Sequence, residues 1–131
     1  HLMVSLRQQK LERVAHFVPE LEVVGDASAD LLVVGWGGTF GHLYAAVEAL
    51  NKEGQKVALA HFNYINPLPL NTAELLGRYK KIVVCELNMG QFAGFLRMKH
   101  PQFSYEQFNK VQGQPFTVQE LKEQFVKLME A

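Results

Sequence analysis

The sequence contains very little cysteine, which limits the chemistry it can support. Cys85 is the only cysteine among 131 residues, so neither an internal disulfide nor a Cys-x-x-Cys pair can form. It lies inside an apolar run, where burial raises the pKa of a thiol and suppresses its reactivity. We therefore expect Cys85 to be a packed core residue, and the lack of disulfides fits a reducing, cytoplasmic location.

An excess of charge of either sign is also missing. Thirteen basic and thirteen acidic residues give a formal net charge of zero, so we expect neither nucleic acid nor a membrane surface as a partner. No apolar run approaches the roughly 20 residues of a membrane-spanning helix, and no signal peptide is recognisable. Position 1 is not methionine. We therefore expect residues 1–131 to form a single domain that is part of a longer subunit.

Side chains suited to catalysis are few and scattered. None of the three serines lies in a G-x-S-x-G elbow, and the five histidines include no H-E-x-x-H motif. Asp26 and Asp30 are the only aspartates, and Glu86 is the only acid predicted to lie at the carboxyl end of a strand. We therefore predict no catalytic residue and no metal site in this chain.

The sequence is organised around residues 31–41, LLVVGWGGTFG. An unbroken apolar run bounded by turn signals predicts a strand buried on both faces, the usual state of a central parallel strand. The glycines that follow permit a tight turn, and Thr39 is predicted to be the N-cap of a helix over Phe40–Glu53. In open α/β sheets, ligands and partners bind outside the carboxyl ends of the strands. We therefore expect function close to this turn.

Apolar spacing and turn signals predict the remaining elements. They are a helix ended by Pro19, strands at Leu21–Val24, Val57–Phe62, Lys81–Leu87 and Ser104–Val111, and helices from Asn71 to about Tyr79, at Gln91–Lys99 and after Thr117. Capping boxes are predicted at Asn71–Glu74 and Thr117–Glu120. This alternation predicts a three-layer α/β/α fold, in which a mostly parallel sheet lies between helix layers.

A dinucleotide site is the first alternative at the glycine turn. From Gly35 the spacing is G-x-G-x-x-x-G, because Phe40 stands where the third glycine of a G-x-G-x-x-G motif belongs. The next strand ends in His61, Phe62 and Asn63, which leaves no carboxylate to bind a ribose hydroxyl. We therefore favour a tight strand–helix turn, with a free-standing nucleotide- or flavin-binding module as the alternative.

The candidate site is a crevice rimmed by polar and aromatic side chains, which suits a protein–protein contact as well as a ligand. We expect Glu86 to accept hydrogen bonds from amides of the following helix, and His61 to be a structural histidine. The candidate residues are Trp36, Gly37, Gly38, Thr39, His61, Asn63, Tyr64, Asn66, Glu86, Asn88 and Gln91.

Three segments together resemble a known family. They are VVGWGGTFG at 33–41, NPLP at 66–69 and VCELNMGQ at 84–91. In this order and spacing they resemble the C-terminal, transketolase-C-terminal-like domain of the alpha subunit of 2-oxoacid:ferredoxin oxidoreductases, over essentially the whole chain. The Asn-Pro-Leu-Pro form is similar to 2-oxoglutarate-type enzymes, whereas pyruvate-type subunits tend to carry Arg-Pro-Phe-Pro.

The resemblance implies a five-stranded sheet in which Leu21–Val24 is an antiparallel edge. It also implies a parent enzyme that oxidatively decarboxylates 2-oxoglutarate to succinyl-CoA and passes electrons to ferredoxin. That enzyme is expected to use thiamine diphosphate, magnesium, an iron–sulfur cluster and coenzyme A, none of them bound by this domain. The expected partners are the remainder of the alpha subunit, the beta subunit and, through the holoenzyme, ferredoxin.

On this interpretation the isolated domain is inactive and serves structure and assembly. The matching domain of another transketolase-like enzyme or of a 2-oxoacid dehydrogenase is a further alternative.

Overall fold

A computed structural model describes residues 17–87, 90–110 and 114–131 of the chain. The helix predicted to end at Pro19 lies almost wholly outside these residues, and so does Asn88. The described elements, in chain order, are β1 (Val23–Gly25), β2 (Leu31–Trp36), a 3-10 turn (Gly37–Thr39), α1 (Phe40–Lys52), β3 (Val57–Phe62), α2 (Thr72–Leu76), β4 (Lys81–Glu86), α3 (Gln91–Lys99), β5 (Glu106–Asn109) and α4 (Val118–Glu130).

The strands form one sheet in the order β1-β3-β2-β4-β5. β1 runs antiparallel to β3, while the other neighbouring pairs are parallel. This confirms the predicted five-stranded, mostly parallel sheet with an antiparallel edge strand. β2 is the central strand, and its residues 31–35 are all buried, which is why the sequence shows an unbroken apolar run there.

Helices cover both faces of the sheet, as predicted. On one face, Leu43 of α1 shares a core with Leu121 and Phe125 of α4. On the other face, Leu76 of α2 shares a core with Leu96 of α3. Successive side chains of β2 alternate between the two cores because strand side chains point to opposite faces. Burying each such leucine contributes about 1.5–3 kcal/mol.

Two of the predicted caps are wrong. Thr39 is buried and has helical dihedral angles, so it lies inside a continuous 3-10 and α-helical turn and makes no side-chain cap. Its hydroxyl instead donates to the carbonyl of Trp36 at 3.1 Å. Asn71 makes no cap either, because its side chain bonds both backbone groups of Leu21, at 2.7 and 2.9 Å.

The third predicted cap is confirmed. Thr117 Oγ1 accepts from the amide of Glu120 at 3.1 Å, and the Glu120 carboxylate accepts from the amide of Thr117 at 3.2 Å. This reciprocal pair satisfies two of the N–H groups that an α-helix leaves without intrahelical partners, so α4 begins where the sequence predicts.

The predicted elements that lie within the described residues are present, and they differ from prediction in where some of them begin or end. β3 and α3 have the predicted bounds. α2 ends at Leu76 rather than near Tyr79, whose hydroxyl donates to the carbonyl of Ala27 at 3.3 Å. β5 keeps only the middle of the predicted strand. No helix among the described residues is both long and apolar enough to cross a bilayer.

Candidate interface at the carboxyl ends of the strands

The carboxyl ends of β2, β3 and β4 meet at one edge of the sheet because these strands are parallel neighbours. Trp36 pairs with Phe62 at the last position of the β2–β3 register, and β4 ends at Glu86. The turns after these strands carry most of the candidate residues, and Gln91 begins α3 beside them. Asn88 lies outside the described residues.

The carboxylate of Glu86 is fully buried and accepts three hydrogen bonds from described residues. Its Oε1 accepts from the indole Nε1 of Trp36 at 3.1 Å and from the amide of Phe92 at 2.7 Å, while Oε2 accepts from the amide of Ala93 at 3.0 Å. The expected bonds to the next helix are therefore confirmed, and the bond to Trp36 is additional. Glu86 links the end of β2, the end of β4 and the start of α3.

The glycine turn is open to solvent beside this anchored tryptophan. Trp36 leans toward α3, where its ring lies 5.8 Å from that of Phe92, centroid to centroid. Gly37 has a φ of +67°, which favours glycine, and a Cβ at Gly37 or Gly38 would meet nothing within 4 Å. Backbone is therefore exposed at the point where the sheet meets α1.

His61 lies half-buried under the start of α1. Its ring meets that of Phe40 edge-on at 5.1 Å, and its Nδ1 is buried without a hydrogen-bond partner among the described residues. Desolvation lowers the pKa of His61, and a backbone contact with Gly37 partly opposes this. An imidazole whose charged form is disfavoured and that packs against an aromatic ring fits a structural histidine.

The loop after β3 supplies three further candidate residues. Asn63, Tyr64 and Asn66 are all exposed, and the bond between Asn66 and Pro67 is cis. Exposed side chains on a loop that follows a sheet strand are in the usual position of binding residues.

A groove lies beside His61 that the sequence did not predict. It has a volume of about 380 Å³, and we call it the aromatic groove. Its lining residues are Pro19, Glu20, Leu21, Glu22, Val24, Phe40, Leu59, His61, Asn63, Tyr64 and Pro69. His61, Asn63 and Tyr64 of this lining were candidate residues, and Phe40 was a further signal, because its aromatic ring precedes the buried stripe of α1. A larger depression, between the β1–β2 turn and α1, contains none of the candidate residues.

The described residues do not fit the metal-containing groups that the family resemblance led us to expect in a parent enzyme. Cys85 is fully buried in β4, and desolvation strongly raises the pKa of its thiol, whereas a cluster ligand must be a thiolate. No three histidine, cysteine, aspartate or glutamate side chains lie together as metal ligands in the part of the chain described. Glu86, the one acid at a strand's carboxyl end, is already bonded to Trp36 and α3.

Comparison with protein families gives a match from position 29 to position 121, to the pyruvate:ferredoxin oxidoreductase core domain II. The chain belongs to this family. The matched range covers well over half of the chain and includes the glycine turn, the loop after β3 and Glu86.

Two known proteins show how similar the sequence of this chain is to other members of the family. The 2-oxoglutarate oxidoreductase subunit KorA of Mycobacterium tuberculosis is 43% identical over 123 residues, which is 92% of this chain and 18% of that protein. The alpha subunit of 2-oxoacid:ferredoxin oxidoreductase 1 from Aeropyrum pernix is 29% identical over 129 residues, or 93% and 20%. This chain therefore spans about a fifth of their length, and the likeness to 2-oxoacid:ferredoxin oxidoreductase alpha subunits is confirmed.

Solved structures agree with the predicted fold. The 2-oxoglutarate:ferredoxin oxidoreductase of Magnetococcus marinus, solved with 2-oxoglutarate, coenzyme A and succinyl-CoA bound, matches with a TM-score of 0.87 at 28% identity, covering 96% of this chain and 22% of that one. A transketolase from Pichia stipitis matches with a TM-score of 0.51 at 18% identity, covering 82% and 17%. The second likeness shows the fold alone.

Proposed function

We propose that this chain is the transketolase-C-terminal-like domain of the alpha subunit of a 2-oxoglutarate:ferredoxin oxidoreductase. In this proposal the parent enzyme is cytoplasmic and converts 2-oxoglutarate to succinyl-CoA, and its electrons pass to ferredoxin. The domain forms one assembly unit with the rest of the alpha subunit and the beta subunit. The 43% sequence identity with KorA supports the proposed activity of the parent enzyme.

The observation that carries the assembly role is that the carboxylate of Glu86 is buried and hydrogen-bonded to neighbouring elements. In an α/β sheet the carboxyl edge is where reactive groups usually lie. The carboxylate at this edge has no exposed surface, and its two oxygens hold Trp36 and the start of α3. The exposed groups around it are aromatic rings and amides, which suit contact with another protein surface.

The parent activity is tested with the full-length subunit produced together with its partner subunit. We expect coenzyme A-dependent reduction of ferredoxin, with a higher kcat/KM for 2-oxoglutarate than for pyruvate. A higher kcat/KM for pyruvate would contradict the substrate assignment.

The assembly role is tested by replacing Asn63 and Asn66 with alanine in the same complex. Loss of a catalytic acid or base lowers kcat by about 10²–10⁴-fold. We expect kcat per assembled enzyme to change by less than about twofold, far below that range, while the Tm of the complex falls. Gln55→Ala, at an exposed site before β3, is the control. A hundredfold loss of kcat in fully assembled enzyme would contradict the assembly role.

A nucleotide- or flavin-binding module is the second candidate, because Gly37 and Gly38 leave open space beside exposed backbone. Ligand at 100 times its Kd stabilises a protein by about 2.7 kcal/mol. We expect no shift in the Tm of the full-length subunit with NAD, NADP or FMN. A clear shift that Gly38→Val abolishes would favour the module instead.

A further inference from the structure

Three aromatic side chains are exposed together at one side of the crevice. Phe40 and Tyr44, one turn apart on α1, stack with ring centroids 5.6 Å apart, and each is 41% exposed. Tyr64 is 48% exposed and lines the aromatic groove with Phe40. Clustered aromatic rings left in solvent are typical of interaction surfaces rather than of a free protein face.

The aromatic groove is acidic. Glu20 and Glu22 lie among its lining residues, and none of the described lining residues is lysine or arginine. Neither glutamate forms an ion pair with another described residue. Aromatic faces beside carboxylates that have no ion-pair partner in the described part of the chain match a guanidinium group on an apolar stem, because arginine pairs with carboxylates and also stacks on rings.

The size of the groove indicates where its occupant comes from. A volume of about 380 Å³ holds a few side chains, whereas a stable complex of separate proteins buries about 800 Å² on each partner. A segment of the same polypeptide needs far less contact, because its tether gives it an effective concentration in the millimolar range. The wall of the groove also includes residues 19–22, the stretch through which the chain enters the described fold.

We propose that the aromatic groove is the docking site of an arginine-bearing, apolar segment of the same alpha-subunit polypeptide. The guanidinium lies between Glu20 and Glu22, and the apolar part of the segment covers Phe40 and Tyr64. This inference rests on the proposed function, since it requires the longer parent subunit.

The test uses the assembled holoenzyme, with a photo-crosslinking residue in place of Tyr64 or Tyr44. Mass spectrometry of the products identifies the peptide joined to each position. We expect a peptide of the same subunit that contains arginine. Met98 is the matched control, because it is 67% exposed on α3, which covers the opposite face of the sheet. A peptide from the beta subunit, or no protein crosslink at either tyrosine, would overturn the proposal.

Charge reversal tests the part played by the carboxylates. Glu20→Lys with Glu22→Lys, in the crosslinking background, should lower the yield of the Tyr64 product about fivefold or more, since one ion pair of about 1 kcal/mol corresponds to that ratio. Glu106→Lys with Glu130→Lys makes the same change in net charge at exposed sites outside the groove and should leave the yield unchanged. Equal yields from both double variants would overturn the arginine assignment.

These readouts do not depend on the substrate. If the holoenzyme proves inactive with 2-oxoglutarate while the crosslink forms as expected, the proposed function fails and the docking site stands. If the enzyme is active and the crosslink is absent, the docking site alone fails.

Discussion

At the residue scale, Glu86 accepts hydrogen bonds from two other elements without exposing any surface. The bond from the Trp36 indole fixes the end of β2, and the bonds from the amides of Phe92 and Ala93 fix the start of α3. The positive end of the α3 dipole favours an acceptor there. Removing the carboxylate would leave buried donors without partners, which costs more than a hydrogen bond contributes.

We expect Glu86→Gln to lower the free energy of unfolding by about 2–4 kcal/mol, because the amide keeps one acceptor oxygen and presents a donor to a buried N–H. Urea unfolding followed by tryptophan fluorescence measures this, and Trp36 is the only tryptophan. Glu74→Gln is the control, since the one partner of that exposed carboxylate among the described residues is Arg78, in an i,i+4 pair worth about 0.2–0.5 kcal/mol. Similar losses in the two variants would contradict the anchoring role.

Gly35 is the second residue on which the site depends. A Cβ there would clash with Leu43 Cδ1 and stand 3.1 Å from Thr39 Oγ1 and 3.3 Å from His61 Nδ1. We expect Gly35→Ala to destabilise the fold by about 1–3 kcal/mol through overpacking. Gly38→Ala is the matched control, because its Cβ meets nothing. Thermal unfolding compares the two, and a Tm for Gly35→Ala as high as that of Gly38→Ala would show that the core can yield.

At the scale of elements, sequence reasoning succeeded where the signal is local and failed where a distant group competes. The unbroken run of β2 and the box at Thr117 predict their elements because the deciding residues are neighbours in sequence. Asn71 has capping-box spacing too, but Leu21, 50 residues away, takes both ends of its amide. Single-sequence patterns contain no information about such a partner.

The candidate site follows the same division. Parallel strands place their carboxyl ends together, so Trp36, Asn63 and Glu86 could be predicted to share one edge. The aromatic groove could not, because Glu20 and Glu22 reach it only through the antiparallel pairing of β1 with β3. The sequence pattern predicts a strand at Leu21–Val24 but does not identify its neighbouring strand, and the structure places β1 two residues later at its start, at Val23–Gly25.

Asn71 therefore has a predictable effect on the groove. Asn71→Ala removes two hydrogen bonds to Leu21, and we expect a loss of about 1–3 kcal/mol with faster hydrogen exchange at the Leu21 amide. Asn51→Ala is matched, because Asn51 bonds both backbone groups of Val57 in the same way at 2.9 Å. Each variant should speed hydrogen exchange only at the backbone amide that its own side chain binds. Faster exchange at Leu21 in Asn51→Ala would argue against separate roles for the two asparagines.

At the scale of the whole molecule, two helix layers hold a rigid sheet, and the polar and aromatic groups collect at one edge. The chain has no formal net charge, so its net charge gives no long-range attraction toward a partner of either sign. We propose that local features select partners instead: the open glycine turn, the exposed loop after β3 and the acidic aromatic groove. In the proposed function, a domain that spans about a fifth of the length of its relatives presents these features to the rest of a larger enzyme.

Stability of the whole fold should also depend on pH through its histidines. Desolvation, the largest cause in each case, lowers the pKa of His61 and of His100 below the usual 6.5. As the pH falls through 6.5, the unfolded chain therefore binds protons before the folded chain does, and stability decreases from pH 7 toward pH 5. Each histidine contributes less than about 1.4 kcal/mol per pH unit, because both rings are partly solvated.

The double variant with His61→Gln and His100→Gln should show a flatter loss of stability between pH 7 and pH 5, measured by urea unfolding at fixed ionic strength. Above pH 7 the free energy of unfolding should change with pH in the same way in the double variant and the unchanged protein, since both histidines are neutral in the folded and the unfolded state. The exposed carboxyls with lowered pKa, Asp26, Glu48 and Glu120, lose their stabilising effect only at lower pH. If the double variant loses stability between pH 7 and pH 5 as steeply as the unchanged protein does, groups other than these two histidines are responsible for the pH dependence.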